Sequence, residues 1–167
     1  MDSLTQVPVT MCFTKATLSL TASSANTLVT ANTNATTLNY AIKGKFYGKA
    51  FNTALATPTT DATTAAAFLP VLANQGSVYV VGYDKDASAI IASQGSIQAL
   101  DAAGKFITAP QFPAIPDTMC PFGYIVVSNI STGSAWTFGT SNWNATGVSG
   151  NVACVDVATL PGRPQVA

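Results

Sequence analysis

The chain has 167 residues, no formal net charge at pH 7 and only 8% charged residues, with seven Lys plus Arg, seven Asp and no Glu or His. About a quarter of residues are charged in a typical globular domain. Nucleic acids and anionic membranes are bound through clustered Lys and Arg, so this composition argues against both as partners. The length fits one domain, which can bury a sizeable core.

The N-terminal segment predicts strands that can serve as an arm. Residues 1–6 carry an acid and no continuous apolar run, so we do not expect a secretory signal, and we expect a cytosolic product. Val9 to Thr21 alternates between apolar and polar residues with a slip near Lys15, which predicts a half-buried strand in which Met11 and Phe13 point the same way. Thr27 to Thr30 predicts a second strand. We therefore predict an N-terminal arm or edge strands over 1–37 and a single β-rich domain over 38–167.

The next segment changes character along its length. Leu38 to Lys43 alternates, and the pattern predicts that Lys45 to Lys49 extends this strand past Gly44. From Phe51 to Gln75 the spacing of apolar residues becomes helical. This stretch predicts a long loop with one short helix, capped by Asp61 and interrupted by a proline.

The remaining segments read as short strands joined by turns. Ser77 to Tyr83 is the clearest strand, and two returning strands follow it in a hairpin or meander. Four prolines then mark an extended connection. Further predicted strands are Lys105 to Thr108, Phe122 to Ser128, Ala135 to Phe138 and Asn151 to Val157. The expected fold is all-β: a β-sandwich or jelly-roll-like domain with an extended N-terminal arm and at most one short helix.

Residues suited to catalysis or metal binding are scarce. The close acids Asp84 and Asp86 flank a Lys in a turn, where a hydrated turn is favoured over a calcium site because EF-hand loops need more oxygen ligands and a Glu. No serine-hydrolase elbow, P-loop or dinucleotide fingerprint occurs. Three distant cysteines predict buried thiols, although one disulfide remains open. We therefore expect no enzyme activity, no cofactor and no metal.

The aromatic segment from Trp136 to Gly147 holds both tryptophans. It permits two interpretations: a pair of rings that fills one end of the core, or an exposed platform that stacks on sugars or a partner surface. On the second interpretation, the candidate partner-contact residues are Trp136, Phe138 and Trp143.

One string carries a family resemblance. The run FGTSNWNATGV from Phe138 to Val148, preceded by PFGYIVV from Pro121 and by the strand break at Gln94-Gly95, resembles small virion structural proteins of tailed bacteriophages. Proteins that decorate or cement the capsid are the most similar, and the likeness extends over about the last ninety residues. It implies a β-sandwich or jelly-roll head, often trimeric, on the outer capsid surface, with the major capsid protein or other virion proteins as partners.

Composition favours the same class of function. A chain with few charges tends to associate, and small side chains such as Thr, Ser and Ala lose little rotamer entropy when a contact buries them. We expect a non-enzymatic virion structural protein, most closely a capsid decoration protein that forms a homo-oligomer, with a trimer favoured. The alternatives are a phage tail, baseplate or head-fibre component, and a carbohydrate-binding module.

Overall fold

A computed structural model describes residues 9–21, 26–30, 35–86 and 89–165. The prediction of an all-β chain is confirmed, with every strand pair antiparallel. The strands are β1 (Met11–Cys12), β2 (Leu18–Leu20), β3 (Thr27–Thr30), β4 (Thr37–Ile42), β5 (Lys45–Ala50), β6 (Asn52–Ala56), β7 (Gln75–Asp84), β8 (Ile90–Gln94), β9 (Gln98–Ala99), β10 (Met119–Asn129) and β11 (Val152–Asp156).

Two small sheets are built from the same three chain segments. One has the order β1-β4-β5 and the other has the order β2-β3-β6. The middle strand is β4 in the first sheet and β3 in the second. The segment that contains β1 and β2 leaves the strand conformation between Phe13 and Thr17, and Thr17 has a positive φ of 54°. This break matches the slip expected near Lys15. Residues 1–8, 22–25 and 31–34 of the predicted arm lie outside the described residues, while β1, β2 and β3 pair within the chain.

The chain reverses between β4 and β5, which corrects the prediction of one strand extended past Gly44. Ile42 pairs with Lys45 across a two-residue turn. Both turn residues have positive φ, 49° at Lys43 and 80° at Gly44. Two successive positive φ values are the requirement of a type I′ hairpin turn, whose twist matches that of the flanking strands.

The largest sheet has the order β11-β10-β7-β8, with β9 also paired to β7. Its two central strands, β7 and β10, are ten and eleven residues long and almost wholly buried. Their apolar runs are continuous because both faces of the sheet are covered. The ladder between them shifts register between Pro121 and Gly123, and a proline can join a central strand only at such an irregularity because it lacks an N–H.

One face of this sheet packs against the two smaller sheets. Tyr79, Tyr83 and Ile125 belong to a core that also contains Leu28 and Tyr40 from the smaller sheets. The other face, which includes Val78, Val80 and Tyr124, lies under the proline-rich connection and the C-terminal segment, through Phe112 and Leu160 among others. The arrangement is a layered β-sandwich.

The predicted helix at Asp61 is wrong, and the predicted loop from Phe51 to Gln75 contains β6. No helix occurs in the described residues. Asp61 instead accepts hydrogen bonds from the N–H groups of Thr63 (2.7 Å) and Thr64 (3.2 Å), which closes a turn. Its other oxygen accepts from the N–H of Gln94 on β8 (3.0 Å). The carboxylate therefore ties this turn to the sheet instead of starting a helix.

Candidate functional site

The three aromatic residues predicted to contact a partner lie in the interior. Trp136, Phe138 and Trp143 are 1%, 0% and 4% exposed. The centroids of the Trp136 and Trp143 rings are 5.1 Å apart, and Phe138 stacks on Tyr79 of β7 at 4.3 Å. Phe68 joins the cluster edge-on to Phe138 at 4.9 Å. These rings form one continuous aromatic cluster between the sheets.

Both indole N–H groups are satisfied inside the chain. The Nε1 of Trp136 donates to the carbonyl of Asn142 at 3.0 Å, and the Nε1 of Trp143 donates to the carbonyl of Thr27 at 3.0 Å. A buried indole needs such a partner. As folded, the chain does not present these rings to a sugar or to another protein, and their position corresponds to the core-filling interpretation.

An exposed aromatic pair lies elsewhere, on the sheet β1-β4-β5. Phe13 is 50% and Phe46 is 74% exposed, and their rings stack at 5.4 Å. Val9, 49% exposed, is close to the same hairpin because its carbonyl accepts from the N–H of Gly44. We define Val9, Phe13 and Phe46 as the hairpin patch. Large apolar side chains that cluster on a surface mark interaction sites more often than scattered ones do.

Sequence reasoning did not find the hairpin patch. Alternation predicts that Phe13 points the same way as Met11 but does not tell which face is buried, and the chain leaves the strand directly after Cys12. The pattern places Phe46 in an extended strand and does not predict which face of that strand is buried. The one local signal is the charge of the lysines around it, because Lys is almost never fully buried.

Positive charge collects around the hairpin patch. The described residues from 9 to 56 contain no Asp or Glu and four of the chain's lysines, namely Lys15, Lys43, Lys45 and Lys49. Two of these lysines pair with acids from later in the chain, Lys15 with Asp156 at 3.8 Å and Lys43 with Asp117 at 2.8 Å. The Nζ of Lys45 lies 5.5 Å from the Tyr47 ring centroid. The hairpin is therefore the basic part of a chain that is neutral as a whole.

The close acids of the sequence form a turn. Asp84 accepts from the N–H of Asp86 at 2.9 Å, and Asp86 pairs with Lys85. Nowhere in the described residues do three or more His, Cys, Asp or Glu side chains come together as a possible metal site. The described residues also contain no helix with the length and apolar character needed to cross a membrane.

The three cysteines carry free thiols. Burial raises the pKa of Cys12 to about 11, and it raises the pKa of Cys120 and of Cys154 to about 12. The thiolate is the reactive form of cysteine, so these groups are unreactive near neutral pH. Cys12 and Cys120 are buried, as predicted, whereas Cys154 is only partly buried.

One cavity in the described part of the chain is lined by an acidic residue, but it offers little chemistry. It has a volume of about 380 Å³ and is lined by Asp61, Leu69, Gln94 and Ile97 among others. The oxygens of Asp61 already accept three backbone N–H groups. A carboxylate bound in this way holds the loop in place and leaves little capacity for a substrate.

No protein-family model, curated protein or solved structure matches the chain.

Proposed function

We propose that the chain is a non-enzymatic structural protein of a virion, most closely a decoration protein that adds to the assembled capsid. The observation that carries the proposal is the hairpin patch, where two stacked phenylalanines are exposed on a chain with few charges. Exposed aromatic rings are frequent energetic centres of protein interfaces. A surface of this kind suits a permanent contact with another protein.

The mechanism is stabilisation by mass action. A subunit that binds only the assembled shell lowers the free energy of that state in proportion to its affinity and concentration. Such a role requires a rigid body with a fixed contact face. The aromatic cluster, the doubly covered central sheet and the tied turn at Asp61 supply that rigidity.

The test is addition of purified protein to undecorated capsid-like particles of its phage. We expect stoichiometric, saturable binding measured by co-sedimentation, and a trimer or lattice-bound monomers by mass photometry and electron microscopy. Particles that bind no protein would contradict the proposal. Density in the tail of intact virions would instead support the tail, baseplate or head-fibre alternative.

A matched pair of variants locates the contact. Phe46→Ser should weaken particle binding without changing the fold, because the side chain is 74% exposed. Ile107→Ser is the control, since Ile107 is 68% exposed but follows Phe106, which packs on the opposite face of the large sheet. Equal loss of binding in both variants would show that general surface hydrophobicity, and not the hairpin patch, drives the contact.

A further inference from the structure

Strand β5 is an edge strand whose outer side has no backbone partner among the described residues, whereas the outer sides of β1, β2 and β8 are bound by other segments. The N–H of Cys12 in β1 donates to the carbonyl of Ala158, and the N–H of Leu18 in β2 donates to the side chain of Asp156. The outer side of β8 binds the turn at Asp61 and Ala62. Exposed edges are a route to unwanted pairing, and proteins usually cover them with another segment or place charged side chains, especially Lys, along them.

The register identifies which groups of β5 face outward. Ile42 and Lys45 flank the two-residue turn, and the N–H of Phe51 donates to the carbonyl of Thr36. Residues that form hydrogen-bonded pairs alternate with those that do not in an antiparallel ladder. The odd-numbered residues of β5 therefore bond to β4. The backbone groups of Phe46, Gly48 and Ala50 point away from it, and no backbone hydrogen bond from them to another described segment occurs.

The side chains around the outer edge of β5 determine which charge is favourable on a strand that pairs with it. Lys45 and Lys49 project from one face of β5, and Phe46 projects from the other. A second copy of β5 would bring two more lysines beside these two. Like charges on adjacent strands destabilise pairing, whereas opposite charges stabilise it. The edge therefore disfavours its own copy and favours an acidic strand.

We propose that β5 accepts an extended acidic segment of another protein as an added strand. This inference rests on the proposed function, because it names the chemistry of the partner that the hairpin recognises. Backbone hydrogen bonds to Phe46, Gly48 and Ala50 would supply affinity, as in other cases of strand addition. A carboxylate beside Lys45 and an apolar residue beside Phe46 would supply specificity.

The first experiment uses a synthetic six-residue peptide of alternating Glu and Val, matched to the length of β5. Its counterpart carries Lys in place of Glu. We expect the acidic peptide to bind the full chain about tenfold more tightly than its counterpart at low salt, and this preference to shrink as salt screens the charges. Equal binding of the two peptides would overturn the proposal.

N-methylation of the peptide provides a control that leaves the protein unchanged. Only alternate N–H groups of an added strand face β5. Methylating one alternate set should abolish binding, and methylating the other set should leave it intact. If neither methylated peptide loses binding, strand addition is ruled out. Changes in NMR chemical shift that are confined to protein residues outside β4 and β5 would rule it out as well.

Two substitutions carry the test to the particle. Ala50→Pro removes an outward N–H while the bonds to β4 remain, and Lys45→Glu reverses a charge at the edge; both should weaken binding of the peptide and of the particle. Lys105→Glu controls for net charge. If particles bind Ala50→Pro and Lys45→Glu as well as they bind the wild type, this inference fails while the proposed function stands. If particles do not bind the wild type, the proposed function fails whatever the peptides do.

Discussion

Replacing Trp143 by alanine tests the burial of the aromatic cluster. The side chain is 4% exposed and contacts Trp136 and Phe138, with ring centroids 5.1 and 5.8 Å away. Truncating a buried Trp typically costs about 3 to 5 kcal/mol in free energy of unfolding. Loss of the indole N–H adds little, since the carbonyl of Thr27 still accepts from the backbone N–H and hydroxyl of Thr21. The expected loss is therefore about 3 to 5 kcal/mol.

The assay is urea unfolding followed by circular dichroism, with thermal unfolding as a second measurement. For a chain of this size the loss corresponds to a fall in Tm of roughly 6 to 20 °C. Phe46→Ala is the matched control, because an aromatic ring that is 74% exposed should change stability by no more than about 0.5 kcal/mol. A loss of less than about 1 kcal/mol in the free energy of unfolding for Trp143→Ala would show that the side chain is not buried and would favour the exposed-platform interpretation.

Three further predictions follow from buried polar groups. The hydroxyl of Tyr83 is buried without a hydrogen-bond partner in the described residues, so Tyr83→Phe should leave stability unchanged or raise it, whereas Tyr79→Phe loses a bond from Gln94 and should cost about 1 kcal/mol in urea unfolding. The cysteine thiols should resist a disulfide reagent at pH 8 until the chain unfolds. Folding raises the pKa values of these thiols from 9 to about 11 to 12. The neutral thiols therefore contribute stability to the folded chain that is fully present below pH 9 and is lost as the pH rises through the folded-state pKa values. Unfolding curves measured across this pH range would detect the loss. Asp61→Ala should cost about 1 to 3 kcal/mol and increase hydrogen exchange of the turn that follows it, and unchanged exchange there would contradict the tying role.

The sequence predicts best those strands whose residue pattern follows directly from burial of the strand. The segment from Ser77 to Tyr83 and the one from Phe122 to Ser128 are continuous apolar runs, and both are central strands covered on two faces. Thr27 to Thr30 also forms a strand with the predicted bounds. The apolar residues within each of these segments are enough to predict a strand.

Other elements depend on contacts that no local pattern records. Helical spacing near Asp61 suggested a helix, but the carboxylate finds a backbone donor on β8, far along the chain, and forms a turn. The predicted strands at Lys105 to Thr108 and Ala135 to Phe138 shrink to single bridges at Phe106 and Trp136. Their aromatic side chains pack into the core instead of extending a ladder.

The candidate site shows the same limit. Sequence singled out Trp136, Phe138 and Trp143 because large aromatic residues serve both cores and interfaces, and only tertiary packing distinguishes the two uses. The sequence pattern does not single out Phe46, because it does not predict the reversal of the chain at Lys43 and Gly44. The reversal turns β5 into an edge and leaves the ring in solvent.

Hydrogen–deuterium exchange of the chain, alone and bound to capsid-like particles, tests the central claim most directly. The claim is that the chain functions by contact through the hairpin that carries Phe46. Binding should slow exchange at the outward amides of Phe46, Gly48 and Ala50, and it should leave the amides of the buried central strands β7 and β10 unchanged. Protection confined to another surface, with β5 exchanging as fast as in the unbound chain, would contradict the account.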